Sequence, residues 1–219
     1  MNTVIMACDS LLRHIDAAQK KAGTSYEVVE LDSRLHAEPE KMNEAVFQAM
    51  EELPGTVDTV LMAMGLCGGS VSDKTLPRRM VIPKVDDCIT LLLHTNQSWH
   101  ANLKECGHLY LTDTADGHLS VENIQRRLVD RYGEKKGMMV FDMWFKGYKS
   151  VDIIDTGVYD CHSDEYKKTA KRNADLIRCP VIYVPGSNLL LEKLVSGKWD
   201  HQFLIAEKGS ILAKTDFNE

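Results

Sequence analysis

The chain has 219 residues, 44% of them hydrophobic and 26% charged, with a formal net charge of −6. These values exclude a disordered chain, and the acidic balance excludes non-specific nucleic-acid binding. No run approaches the roughly 18 consecutive apolar residues of a membrane span, so neither nucleic acid nor membrane is an expected partner.

Thr3 to Ala7 predicts a buried strand ending at Cys8-Asp9-Ser10. The N-terminus lacks a basic region and reads as this strand rather than as a signal peptide. Leu11, Leu12, Ile15, Ala18 and Ala22 recur at helical spacing before Gly23. Tyr26 to Leu31 predicts a second strand, whose exit loop carries His36. Met42, Ala45, Val46, Ala49 and Leu53 mark a second helix, stopped by Pro54-Gly55.

Val57 to Met64 and Met80 to Lys84 are the next strands. Each ends in a cysteine-bearing turn, Gly65-Leu66-Cys67-Gly68-Gly69-Ser70 and Asp86-Asp87-Cys88. Cys88 is expected to open a helix capped by Asp86 or Asp87, where unpaired N–H groups favour a thiolate. A strand at His108 to Thr112 follows, then a polar turn over Asp113 to Gly117 and a helix from Ser120 to Arg131. Gly133 to Tyr148 is expected to hold a buried helix, because Met138, Met139, Phe141, Met143, Trp144 and Phe145 are most simply core; the alternative is a dimer face. Ser150 to Ile154 is a strand, Ser163 caps a helix through Ile177, Cys179 to Val184 is a strand, Leu189 to Val195 a helix and Gln202 to Ala206 a last strand.

This alternation predicts an α/β fold with a largely parallel sheet covered by helices, in two closely packed Rossmann-like halves. The expected organisation is a single domain over 1–219, with lobes of about 1–115 and 116–219. Polar or glycine-rich turns follow most strands: Cys8-Asp9-Ser10, His36, Cys67, Asp87-Cys88, Asp155-Thr156, Ser187 and Ser210. A parallel sheet gathers such turns at its carboxyl edge, where open α/β folds bind ligands.

Six cysteines stand at 8, 67, 88, 106, 161 and 179 without a CxxC pair, which reads as reduced thiols in a cytoplasmic protein. His36, Cys67 and Cys88 come from consecutive strand exits in the sequence. Two thiolates and an imidazole suit a borderline-soft ion such as zinc, with a fourth position left for water or a thiol. Should His36 be only a loop anchor, Cys8 is next in line as third ligand. Asp87 and Asp9 are the expected acid–base groups, and Gly65, Gly68, Gly69 and Ser187 the expected cofactor-binding positions.

Two thiols on one pocket also describe a cofactor-independent Cys/Cys racemase. Nucleotide binding is unsupported, since Gly65 to Gly69 has neither GxGxxG spacing nor a P-loop Lys-Ser/Thr. Asp160-Cys161-His162-Ser163-Asp164-Glu165 has Glu165 where a DxHxxG corrinoid signature needs glycine, so it is not read as a corrinoid-carrying module. His162 then simply precedes a helix cap, and His94, His100, His108 and His118 are expected at the surface or an interface.

Leu35-His36 with Pro39, Gly65-Leu66-Cys67-Gly68, Asp86-Asp87-Cys88-Ile89 before Leu91-Leu92-Leu93, and Tyr110-Leu111-Thr112 follow in order, and Trp199-Asp200 to Gly209 closes the set. Together they resemble a prokaryotic family of unknown function, DUF sixteen thirty-eight. His94 and Asp113-Thr114-Ala115 depart from its pattern, where a glycine and a Gly-Trp pair would stand. Members occur mainly in anaerobic bacteria and methanogens, often beside corrinoid-dependent methyltransferase genes. The resemblance therefore implies a link to one-carbon, methyl-group metabolism, with a corrinoid protein or methyltransferase as partner and any corrinoid borne by that partner. A metal-dependent enzyme and a corrinoid-, metal- or metabolite-binding accessory module both fit, each with a small-molecule ligand and the option of a homo-oligomer.

Overall fold

The computed structural model describes residues 2–115, 117 and 120–218; His118 and part of the turn expected at 113–117 lie outside them. By internal contacts the chain forms two units: residues 1–103 with 187–219, and residues 104–186 between them. Among the described residues no helix is long and apolar enough to cross a membrane.

The first unit holds a five-stranded sheet in the order β2-β1-β3-β4-β8. Its strands are β1 (Asn2–Cys8), β2 (Glu27–Leu31), β3 (Val57–Ala63), β4 (Arg79–Pro83) and β8 (Phe203–Ala206). The first four run parallel, and β8 lies antiparallel to β4. Near-continuous apolar runs in β1 and β3 suit strands buried on both faces, and Val4 to Cys8 are all buried.

Alternation sends Val4, Met6 and Cys8 to one face of β1. There they join a core with Met42, Val46, Phe47 and Met50 of α2 (Pro39–Glu52). Each such buried side chain contributes about 1.5–3 kcal/mol relative to exposure. Pro39 sits at the start of α2, where its missing N–H costs nothing. The remaining helices of this unit are α1 (Leu12–Ala22), α3 (Cys88–Leu93) and α7 (Leu189–Ser196); α7 packs on α1, α3, β3 and β4.

The second unit has a parallel three-stranded sheet, β5 (His108–Leu111), β6 (Ser150–Asp155) and β7 (Val181–Pro185), with β6 in the centre. Its helices are α4 (Val121–Tyr132), α5 (Glu134–Phe145) and α6 (Asp164–Ile177); Ser163 caps α6 as expected, and Ser120 caps α4. Gly137 lets α4 and α5 approach: a Cβ there would stand 2.6 Å from the Leu128 carbonyl oxygen.

Two expectations are corrected here. α5 is buried on one face only. Gly137, Phe141 and Phe145, four residues apart, face inward, while Met139, Met143 and Trp144 are 64%, 66% and 57% exposed. The run is apolar all round, so its sequence could not show which stripe packs. Of the histidines assigned to the surface, His94 is buried, with Nδ1 2.9 Å from the Thr90 carbonyl oxygen, and the half-buried His108 lies 2.7 Å from the buried Asp152 carboxylate.

Candidate metal centre

The carboxyl edge of the first sheet brings together four side chains from four strand exits. Cys8 is the last residue of β1 and pairs with Leu31, the last residue of β2. The chain then turns through Ser33–Ala37 into α2, on the face toward which Cys8 points, and this places His36 Nε2 3.2 Å from Cys8 Sγ.

Cys67 and Cys88 meet because the exits of β3 and β4 continue side by side. The Leu66 N–H donates to the Val85 carbonyl at 2.9 Å, and the Cys67 N–H to the Asp86 carbonyl at 2.7 Å. Only glycine fits at 65, where a Cβ would stand 2.6 Å from the Asp87 nitrogen and 2.8 Å from the Val85 carbonyl oxygen. Cys67 itself takes a left-handed backbone, with φ of 47°. For a residue other than glycine this costs on the order of 1–3 kcal/mol, a strain that clusters at functional sites. The result is a Cys67–Cys88 Sγ separation of 3.8 Å.

The donor atoms of Cys8, His36 and Cys88 all lie within 4.8 Å of one another, and Cys67 stands beside Cys88, outside that mutual set. Tetrahedral metal–sulfur bonds of about 2.3 Å place two sulfurs about 3.8 Å apart, the spacing Cys67 and Cys88 already have. Sulfur and imidazole nitrogen on one such ion stand about 3.6 Å apart, within a few tenths of an ångström of the Cys8–His36 distance. The three cysteines are unbridged thiols.

The cluster shares its protons unevenly. Hydrogen bonds from the thiols of Cys67 and Cys8, then the field of His36 and the Gly65 backbone, hold Cys88 well below the ordinary thiol range despite its burial. The same bonds to Cys88, followed by burial, push Cys8 and Cys67 upward.

Asp87 caps α3, its carboxylate accepting the Thr90 N–H at 2.8 Å, while Asp86 accepts the Thr90 hydroxyl at 2.6 Å. Asp9 is exposed at the turn after β1. Gly68 and Gly69 face Pro39 and Lys214 in an open cleft of about 820 Å³. Ser187 belongs to another corner: its hydroxyl donates to the His94 carbonyl and accepts the Leu189 N–H at the start of α7. Ser210 is corrected as a member of this edge, because β8 runs antiparallel and its exit leaves from the opposite end. Asp155 ends β6 in the second sheet.

Sequence spacing made His36, Cys67 and Cys88 the first choice and held Cys8 in reserve, whereas the structure groups Cys8 with His36 and Cys88. The missing fact was strand order. With β1 between β2 and β3, Cys8 stands between the exits that carry His36 and Cys67. The apolar run into Cys8 was the one available signal that this thiol ends a central strand.

A family model described as "Protein of unknown function (DUF1638)" matches residues 30–195, a segment that holds His36, Cys67 and Cys88 and begins after Cys8. No curated protein and no solved structure was found to match the chain.

Proposed function

The chain belongs to the DUF1638 family, and from its site we propose that it binds a soft divalent ion, zinc first among them, through Cys8, His36 and Cys88, with Cys67 as fourth donor, in the service of methyl-group metabolism. The observation that carries the metal reading is the mutual approach of Cys8, His36 and Cys88 within 4.8 Å. The metabolic part rests on what the family resemblance implies.

A bound ion would supply a Lewis acid able to hold a small thiol as its thiolate. The chain's residues define how it is received. Cys88 offers a ready anion, and Cys8 and Cys67 must each release a proton as they ligate, so uptake is favoured by rising pH. With all four donors engaged the shell is closed, as in structural or storage sites; with Cys67 withdrawn, one position opens to a ligand.

A second reading, an accessory module that holds a metal or corrinoid-related ligand for a methyltransferase, is favoured by the carboxylates. Asp87 is engaged by the α3 cap and Asp9 is exposed, and each acts on the cluster only through its charge, Asp87 on Cys67 and Asp9 on Cys8. The racemase reading finds no support in Cys67 and Cys88. A substrate carbon between two thiols needs contacts of about 3.5 Å on each side, whereas these sulfurs are 3.8 Å apart.

Protein purified anaerobically without chelator should carry an ion that Cys88→Ser removes. Protein that takes up no Cys88-dependent ion on zinc titration would refute the proposal. Turnover of methylated amines or thiols by the loaded protein would select the enzyme, and tight binding without turnover the accessory module.

A further inference from the structure

We infer that the second unit carries its own divalent-cation site, formed by Asp155 at the end of β6 and by Cys161 and His162 in the loop that leads to α6. Their ligand atoms all lie within 4.8 Å of one another, with His162 Nε2 3.3 Å from Asp155 Oδ2. A carboxylate oxygen, a sulfur and an imidazole nitrogen form a mixed donor set. It suits borderline divalent ions such as zinc, cobalt(II) or iron(II), and it disfavours magnesium and calcium, which take oxygen ligands.

The loop is built to hold these atoms in place. Asp155 Oδ1 accepts the Gly157 N–H at 3.2 Å, which fixes the carboxylate and turns Oδ2 toward His162. The His162 ring stacks on Tyr183 of β7 with centroids 4.6 Å apart, and its backbone N–H donates to Asp160 Oδ1 at 3.0 Å. Tyr183 also donates its hydroxyl to the Cys161 carbonyl at 3.3 Å, and Tyr159 donates to the Ile154 carbonyl at 2.7 Å. Such outer partners are what orient metal ligands. The site opens outward: the His162 side chain is 58% exposed and that of Asp155 41%, while Cys161 closes the floor at 1%. Three protein ligands and an open side leave room for water or a small anionic ligand, the arrangement of reactive rather than structural sites.

Cysteine ligates as its thiolate, so binding releases the Cys161 thiol proton and the measured heat should depend on the buffer's ionisation enthalpy.

The test uses the full chain, zinc and cobalt(II) as probes, and two variants at exposed positions, His162→Ala and Asp155→Asn, with chemical denaturation to verify folding. Each should weaken one equivalent of metal by at least about tenfold, the loss that even outer partners of a ligand can cause. That equivalent should survive in Cys88→Ser and show the weaker charge-transfer absorption of a single thiolate on cobalt. Unchanged titrations in both folded variants would overturn the inference. Absence of any Cys88-dependent equivalent in the wild-type chain would count against the first site and leave this one standing.

Discussion

The two sheets end in carboxyl edges with similar donors assembled in opposite ways. In the first, Cys8, His36, Cys67 and Cys88 arrive from four strand exits, and the hydrogen bonds linking Leu66 to Val85 and Cys67 to Asp86 register two of those exits. In the second, Asp155 ends β6, and Cys161 and His162 lie on the loop that follows it. The first set exists only when the sheet is folded, whereas the second is nearly complete within a short peptide. An ion at the first site would bind the native state far better than the unfolded chain. An ion at the second retains affinity for the unfolded chain, which diminishes its stabilising effect.

That difference gives the largest expected effect. At a free zinc concentration of 100 times the dissociation constant, the first site should add about 2.7 kcal/mol to the unfolding free energy, and the second distinctly less. Denaturation of Cys88→Ser and His162→Ala at matched saturation measures each contribution separately. Equal increments would break the contrast between a folded-only and a local site.

His36→Ala sharpens the contrast further. As a ligand on a half-buried turn, His36 should matter for metal more than for the fold. The substitution should weaken the Cys88-dependent equivalent on the order of a hundredfold, while costing the metal-free protein under about 1.5 kcal/mol. A large stability loss with unchanged affinity would make His36 a loop anchor. The cysteines would then have to recruit another third ligand.

Gly65→Ala acts on geometry alone. Its new methyl group would collide with the Asp87 backbone, and overpacking of this kind costs about 1–3 kcal/mol. Because the movement separates the loops that carry Cys67 and Cys88, the Cys88-dependent equivalent should weaken. The His162-dependent equivalent should be untouched, since its ligands hang on no second strand exit.

The same contrast explains what could be read in the sequence. Period and capping residues marked the elements well, because those signals are local: Gly23 ends α1, Pro39 starts α2, and Asp87, Ser120 and Ser163 each cap the helix that follows. Polar turns after apolar strands put Cys8, His36, Cys67 and Cys88 at strand exits, and all four stand at the carboxyl edge of the first sheet. Strand order is a long-range outcome of packing, so the neighbourhood of Cys8 and the reversed direction of β8 were invisible. At Asp155, Cys161 and His162 the difficulty was of another kind. Cys161 and His162 are adjacent, but Asp155 stands six positions earlier across a strand end, and no recognised ligand spacing links the three. In α5, excess apolar character concealed the side that packs.

The smallest effect separates the thiols of the two edges chemically, in metal-free protein. Cys88 is held well below the ordinary thiol range by the thiols of Cys67 and Cys8, whereas Cys161 is pushed up by burial and then by Asp155. The thiolate is the reactive form, so a lowered pKa raises the reactive population at a pH where ordinary thiols are protonated. Lower basicity costs nucleophilicity, with a Brønsted slope of about 0.4–0.5, which cancels part of that gain. Half-burial of Cys88 takes a further share. Limiting iodoacetamide at pH 6 should therefore label Cys88 first and Cys161 last, with a Cys88 rate that rises less with pH than the Cys161 rate. If exposed Cys106 or buried Cys161 reacts first and Cys88 stays inert, Cys88 is a packed core thiol, and the two edges do not differ in the way their geometry requires.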